Sequence, residues 1–255
     1  MFYLIAIPLA LVPSLIWLFY YLKKDVHPEP NQLIIKVFVW GMIATILTAI
    51  TILIYARLEE GLVTQGLSIL NYLPHIFTVS LFVIFFNAFW EEALKYLVVR
   101  FSILKNPEFD EPVDAMEYMI ISALAFAAVE NILIATSYSD FKNLYIILFV
   151  RFLGATLIHV LSSATLGFFL AKAIFWKKNR QRFPLRAGIV MLGLLIATSL
   201  HAVFNFLIIE SSKSQKEGYI YLYLVAAFLI FLSFVVTRGL RKLNLQSLIK
   251  KKKDL

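Results

Sequence analysis

One short stretch of this sequence carries the residues with the clearest potential for chemistry. Glu91 and Glu92 are adjacent and Lys95 follows them, within the otherwise apolar stretch 85–96. An ionisable group at the centre of a membrane helix costs about 2.5–3.5 kcal/mol, so this cluster requires a compensating role. In a helix, Glu91 and Lys95 would share one face. Two neighbouring carboxylates in apolar surroundings cannot both ionise easily, so one can hold or pass a proton, which suits general acid–base catalysis.

Other polar residues interrupt later apolar segments. They are Glu130 with Asn131, His159, and His201 with Asn205. Taken singly, a membrane histidine or asparagine is often only an interhelical hydrogen-bond partner, worth about 0.6 kcal/mol. Together, acids, imidazoles and carboxamides on four segments at similar depth are better explained by one polar cavity.

These residues have the roles that water-dependent hydrolysis needs. Glutamates would activate water, histidines would position it, Asn205 would stabilise an oxyanion, and Lys95 would neutralise Glu91. Replacing any one of the three glutamates by Gln is expected to abolish cleavage without preventing membrane insertion. The candidate catalytic residues are Glu91, Glu92, Glu130, His159 and His201, with Lys95, Asn131 and Asn205 in support.

The same inventory fits a divalent metal ion such as zinc. Two imidazoles and a carboxylate are three ligands that leave a fourth zinc position for water. The candidate ligands Glu130, His159 and His201 come from separate segments rather than from one compact motif. Glutamate and histidine can also activate water without a metal, and the sequence leaves both routes open.

Composition indicates the elements that must position these residues. The chain is 61% hydrophobic with 23 Phe, and its mean hydropathy is +0.82. An ordinary soluble domain is nearer half apolar. We therefore predict an all-α, polytopic membrane bundle forming one domain over 1–255, with a basic cytoplasmic tail at 238–255. The first segment lacks a charged leader and a cleavage site, so we expect it to be a retained helix. Seven spans are expected, near 2–22, 33–55, 74–99, 115–138, 144–175, 187–209 and 219–237.

Basic residues predict the orientation of the spans. The connections after the first, third and fifth spans and the tail hold sixteen of them, at Lys23, Lys24, Arg100, Lys105, Lys177, Lys178, Arg180, Arg182, Arg186, Arg238, Arg241, Lys242 and 250–253. The alternate connections hold four, at Arg57, Lys142, Lys213 and Lys216. The positive-inside rule then places the N-terminus outside and the C-terminus in the cytoplasm. It also accounts for the net charge of +8 without nucleic acid.

The amino-acid sequence alone argues against several hydrolytic mechanisms. The chain has no cysteine, which removes disulfides and a cysteine nucleophile. It contains neither His-Glu-x-x-His nor Gly-x-Ser-x-Gly. Its five aspartates lie at segment ends or in connections. This argues against an aspartyl protease dyad within the membrane. The glutamates therefore remain as the candidate catalytic acids.

The motifs resemble those of a known family. The stretch 91–95 is similar to the Glu-Glu-x-x-Lys motif of the PrsW family of bacterial intramembrane proteases, and 126–131 to its Phe-x-x-x-Glu-Asn motif. His159, within 151–172, resembles the third motif, and 201–205 the fourth. All four occur in order. The type II CAAX prenyl endopeptidases of the wider group have histidine where this chain has Glu130, which argues against prenylated substrates.

The resemblance implies a biological role that composition does not. It implies regulated cleavage of a single-pass membrane protein in the bacterial cell membrane, an anti-sigma factor in the best-known members, by a glutamate-dependent or metallo-type protease. Two other readings remain at this level. Buried Glu and His could relay protons in a coupled transporter, although no internal repeat is apparent. The polar residues could instead join the helices of a membrane scaffold.

Overall fold

The computed structural model describes residues 1–24, 27–64, 76–176, 183–213 and 215–254. Nearly all of this part of the chain is helical and none of it is a strand, which confirms the all-α prediction. In chain order the helices are α1 Phe2–Leu22, α2 Asn31–Thr64, α3 Ile76–Ser102, α4 Asp114–Ala135, α5 Phe141–Leu153, α6 Ala155–Phe175, α7 Phe183–Lys213 and α8 Gln215–Asp254.

Six stretches of the described chain are long and apolar enough to cross a membrane. They are Phe2–Leu22, Asn31–Thr51, Asp114–Ala135, Phe141–Phe175, Phe183–Lys213 and Glu217–Leu248. The remaining predicted span, 74–99, overlaps α3, whose apolar run is interrupted by the Glu91, Glu92 and Lys95 cluster. The protein is therefore an integral membrane bundle, with α3 carrying its charged groups into the interior.

Helix α4 lies at the centre of the bundle. Of its apolar stretch, 78% is buried, against 22–44% for the other five stretches. It packs against α1, α2 and α6, and small residues allow the close approach. A Cβ added to Gly167 of α6 would lie 2.6 Å from the Met116 Cα, and one added to Gly41 of α2 would lie 2.6 Å from the Ala125 Cβ. Such small-residue contacts are how membrane helices gain packing energy.

The predicted span 144–175 is not one continuous helix. Gly154 separates α5 from α6, with φ −112° and ψ −89°, outside the helical region. A Cβ there would approach the Val150 carbonyl oxygen at 3.1 Å, which explains why a glycine occupies the break. The interruption matters because Arg151 and His159 lie on its two sides. The apolar pattern continues across Gly154, so hydropathy alone merges the two helices.

The last helix continues beyond its predicted end. Helix α8 runs from Gln215 to Asp254, whereas the predicted span covers 219–237. The stretch predicted as a basic tail is thus helical through Asp254. The Asn244 amide donates to the Lys24 carbonyl at 3.2 Å, which joins this extension to the end of α1.

Candidate active site

Helices α3, α4, α6 and α7 bring their acids and imidazoles into one polar cluster. Glu92 and Lys95 of α3 are fully buried, and His159 of α6 and His201 of α7 are 2% exposed. The two imidazole rings meet edge to face, with centroids 4.7 Å apart. The structure therefore brings together residues that lie far apart in the sequence, as the single-cavity interpretation requires.

Glu92 is the most heavily hydrogen-bonded acid of the cluster. Its Oε1 accepts from Lys95 Nζ at 2.7 Å, from His201 Nδ1 at 3.0 Å and from Ser162 Oγ at 3.0 Å. Its Oε2 accepts from Ser163 Oγ at 2.7 Å. A carboxylate with four donors and no exposure is well satisfied as an anion. Glu92 thus holds the lysine and His201 in place.

Glu91 differs sharply from its neighbour. Its Oε2 is buried and has no hydrogen-bond partner, although the side chain as a whole is 14% exposed. The same oxygen lies 3.8 Å from His159 Nδ1, 3.8 Å from His201 Nε2 and 3.9 Å from Lys95 Nζ. A buried polar atom without a partner is costly, and in native structures it points to a functional site or to a bound group.

His159 connects the cluster to Glu130 of α4. Lys95 Nζ lies 2.8 Å from His159 Nδ1, and His159 Nε2 lies 3.0 Å from Glu130 Oε2. An ammonium group can only donate, so Nδ1 accepts, and Nε2 carries the proton that is donated to the carboxylate. His201 donates from Nδ1 to Glu92, and in a neutral ring its Nε2 would then carry the lone pair.

The two supporting asparagines differ in their hydrogen bonding. Asn131 is fully buried; its Oδ1 accepts from Arg151 Nε at 2.5 Å, and its Nδ2 donates to Thr156 Oγ1 at 3.3 Å. Asn205 lies one turn along α7 from His201, half-buried, and none of the hydrogen bonds between the described site residues involves it.

Sequence reasoning missed some of the residues that build the site. Ser162 and Ser163 were visible on the helix that carries His159, but nothing in the sequence assigned them to Glu92. Arg151, at the end of an apolar segment, looks like an interfacial anchor. The structure instead directs its guanidinium to Glu130 Oε2, at 3.0 Å.

Exposure shows where the cluster opens. The side chain of Glu130 is 26% exposed and that of Arg151 is 12% exposed, whereas Glu92 and Lys95 are fully buried. The polar cluster therefore becomes accessible on the side of Glu130 and Glu91, and Glu92 forms its closed end.

Three groups of the cluster could hold a metal ion. Ligand atoms of Glu91, His159 and His201 all lie within 4.8 Å of one another. The unbonded Glu91 Oε2 and the Nε2 lone pair of His201 face the same point, and zinc accepts this combination of carboxylate and imidazole. Glu92 supplies the carboxylate partner that such a histidine usually has on its other nitrogen. The carboxylate of this group is Glu91, whereas the ligand set inferred from sequence contains Glu130.

The charges of the cluster agree with this arrangement. Three carboxylates, Glu91, Glu92 and Glu130, face two basic side chains, Lys95 and Arg151. With both imidazoles neutral, the cluster has one excess negative charge. A proton on Glu91 or a bound cation would compensate it, so the residues fit both a general acid–base site and a metal site.

Comparison with known proteins identifies the same family as the sequence motifs. Residues 29–235 match the model of the PrsW family intramembrane metalloproteases. Protease PrsW of Clostridioides difficile is 31% identical over 203 residues, covering 78% of this chain and 77% of that protein. Protease PrsW of Bacillus subtilis is 28% identical over 225 residues, covering 88% and 87%. No solved structure matches the chain. The match includes the helices that carry all four motifs, and the chain therefore belongs to the PrsW family of intramembrane proteases.

Proposed function

We propose that this protease hydrolyses a peptide bond of a single-pass membrane protein at the cluster formed by Glu91, His159 and His201. The observation that supports this site is the Glu91 Oε2 atom, which is buried without a hydrogen bond and faces both imidazoles. An anti-sigma factor is the substrate that the sequence resemblance implies within this class.

Glu91 is the general base in this proposal. Its unbonded oxygen can accept a proton from a water molecule held between the imidazoles, and the protonated acid can then give that proton to the leaving amine. Lys95, with Nζ 3.9 Å from the same oxygen, places a positive charge beside the carboxylate. Glu92 has no free position for water and acts by orienting His201 and Lys95. Asn205 would donate to the developing oxyanion, as the sequence suggests.

Glu91, His159 and His201 would also hold the divalent metal, which would replace the Lys95 ammonium as the partner of His159 Nδ1. A bound ion such as zinc would polarise the substrate carbonyl and make water more acidic. In this arrangement Glu92 and Glu130 fix the orientation of the two imidazoles through their opposite nitrogens.

The orientation proposed for the chain places the N-terminus outside and the C-terminus in the cytoplasm of a bacterial cell membrane. It is supported by the distribution of Lys and Arg between the two sets of connections. In this orientation Glu130 lies toward the outer end of α4, because α4 then runs from the cytoplasm outward to Ala135.

Reconstitution tests the proposed function. The purified protein would be placed in proteoliposomes together with single-pass membrane proteins of the same organism, anti-sigma factors included. We expect cleavage of at least one of them and no proton flux across the vesicle membrane. Proton flux without cleavage would instead support the transporter reading, and neither activity would support the scaffold.

A further inference from the structure

Arg151 is directed into the polar cluster from the end of α5. Its NH2 group donates to Glu130 Oε2 at 3.0 Å, and its Nε donates to Asn131 Oδ1 at 2.5 Å. Both acceptors lie on α4, so one guanidinium joins the end of α5 to two successive residues of the central helix. A fork of this kind gives a fixed geometry that a lysine ammonium does not.

The backbone beside Arg151 is held in place by a second helix. The Phe152 carbonyl accepts a hydrogen bond from Trp17 Nε1 of α1 at 2.9 Å, and the two rings stack with centroids 5.3 Å apart. On the other side, Asn131 also donates to Thr156 at the start of α6. The guanidinium therefore has a position defined by α1, α4 and α6.

Glu130 Oε2 accepts from two donors at once. The guanidinium and His159 Nε2 both lie 3.0 Å from this one oxygen. Because the Glu130 side chain is 26% exposed, it could turn toward the opening if the guanidinium were absent. His159 would then lose the acceptor of its Nε2–H, which orients the ring with Nδ1 toward Glu91.

We propose that Arg151 is a positioning residue for the reaction, which holds Glu130 against His159 and so fixes the orientation of that imidazole. The inference rests on the proposed function, in which His159 acts at Glu91. It assigns Arg151 no contact with the substrate.

Steady-state cleavage by purified variants tests this role. Arg151→Met is expected to lower kcat about 10- to 100-fold, the usual effect of removing an outer partner of a site histidine, with KM within twofold of wild type. Arg151→Lys restores the positive charge but not the fork to Glu130 and Asn131, and is expected to recover part of kcat. Arg100→Met is the matched control, because Arg100 is exposed and its NH1 donates only to Tyr96 on the same helix. A raised KM with unchanged kcat would assign Arg151 to substrate binding and overturn the proposal.

A spectroscopic measurement tests the same inference without activity. The chain has only four histidines, so nitrogen NMR of ¹⁵N-histidine-labelled protein can follow His159, identified by its loss in His159→Gln. Wild type is expected to show an Nε2 resonance shifted by the hydrogen bond from Nε2–H to Glu130, and Arg151→Met a changed Nε2 shift because that bond is lost. An unchanged His159 signature in folded Arg151→Met would overturn the proposal. If wild type cleaves nothing, the proposed function fails, whereas the NMR result still decides the role of Arg151.

Discussion

At the scale of residues, two adjacent glutamates have opposite surroundings. Glu92 accepts four hydrogen bonds from lysine, histidine and serine donors, whereas Glu91 Oε2 accepts none. Their positions on α3, about 100° apart around the helix, produce this difference. Glu92 therefore has a structural role, whereas Glu91 has an oxygen that can take part in the reaction.

Ser163 tests whether Glu92 is a structural anion. Ser163→Ala removes the donor to Glu92 Oε2 and leaves a buried carboxylate oxygen without that bond, which should cost about 1–3 kcal/mol of stability. The measurement is the thermal unfolding of detergent-purified protein. Ser199→Ala is the matched control, because Ser199 is exposed and donates to the Leu195 carbonyl of its own helix. Equal melting temperatures for the two variants would contradict the role given to Glu92.

Metal content tests the ligand set. If Glu91, His159 and His201 hold a divalent ion, elemental analysis of wild type should find about one equivalent, as for a single three-ligand site. Glu91→Gln and His201→Ala should each lose most of it, and a chelator should remove it from wild type together with activity. Retention of the metal in both variants would rule out this set.

At the scale of elements, the site depends on close packing between α4 and α6. Gly167 faces the α4 backbone, and an added Cβ would lie 2.7 Å from the Ala115 carbonyl oxygen. The same pair of helices carries Glu130 and His159, which are joined by a 3.0 Å hydrogen bond. Separation of the helices by even a few tenths of an ångström would lengthen that bond.

Gly167→Ala should therefore reduce both stability and cleavage. Overpacking of this kind costs about 1–3 kcal/mol, and we expect a lower melting temperature with a several-fold lower cleavage rate. Gly188→Ala provides the comparison, because no side chain or neighbouring helix of the described chain lies within 4 Å of its added Cβ. The packing account would be wrong if Gly167→Ala behaved like Gly188→Ala.

The elements were predictable from sequence to different degrees. The apolar segments are evident because each must be long enough to cross a bilayer, and the motifs on them identify Glu91, Glu130 and both site histidines as candidates. The break at Gly154 was not predictable, since hydropathy is continuous across it. Nor was the bond from Ser163 to Glu92, because a helical serine looks the same in sequence whether it bonds its own helix or an acid on another.

At the scale of the whole molecule, the fold buries the charged cluster of the site and leaves many apolar side chains outside. Exposed large hydrophobic residues occur on α1, α2, α3, α5, α7 and α8, as expected where lipid is the solvent. Helix α6 has none among its described residues, and the central helix α4 has only Leu133, because other helices cover the rest of it. The protein thus encloses a buried, charged site within an apolar surface.

The absence of cysteine from the chain makes the orientation straightforward to test. Lys142→Cys and Lys242→Cys each introduce a single thiol at an exposed position, on α5 and α8 respectively. With an impermeant maleimide on intact cells, we expect labelling of the first variant, and labelling of the second only after permeabilisation, because the basic connections lie in the cytoplasm. The reverse pattern would refute the proposed topology.

The most direct test of the catalytic role of Glu91 is the cleavage rate of Glu91→Gln measured beside its melting temperature. Loss of a general base lowers the rate by about 10²–10⁴-fold. Because the replaced oxygen has no hydrogen bond to lose, we expect a rate at least about 100-fold below wild type and a melting temperature no lower than that of wild type. A Glu91→Gln protein that cleaves its substrate at the wild-type rate would contradict the mechanism.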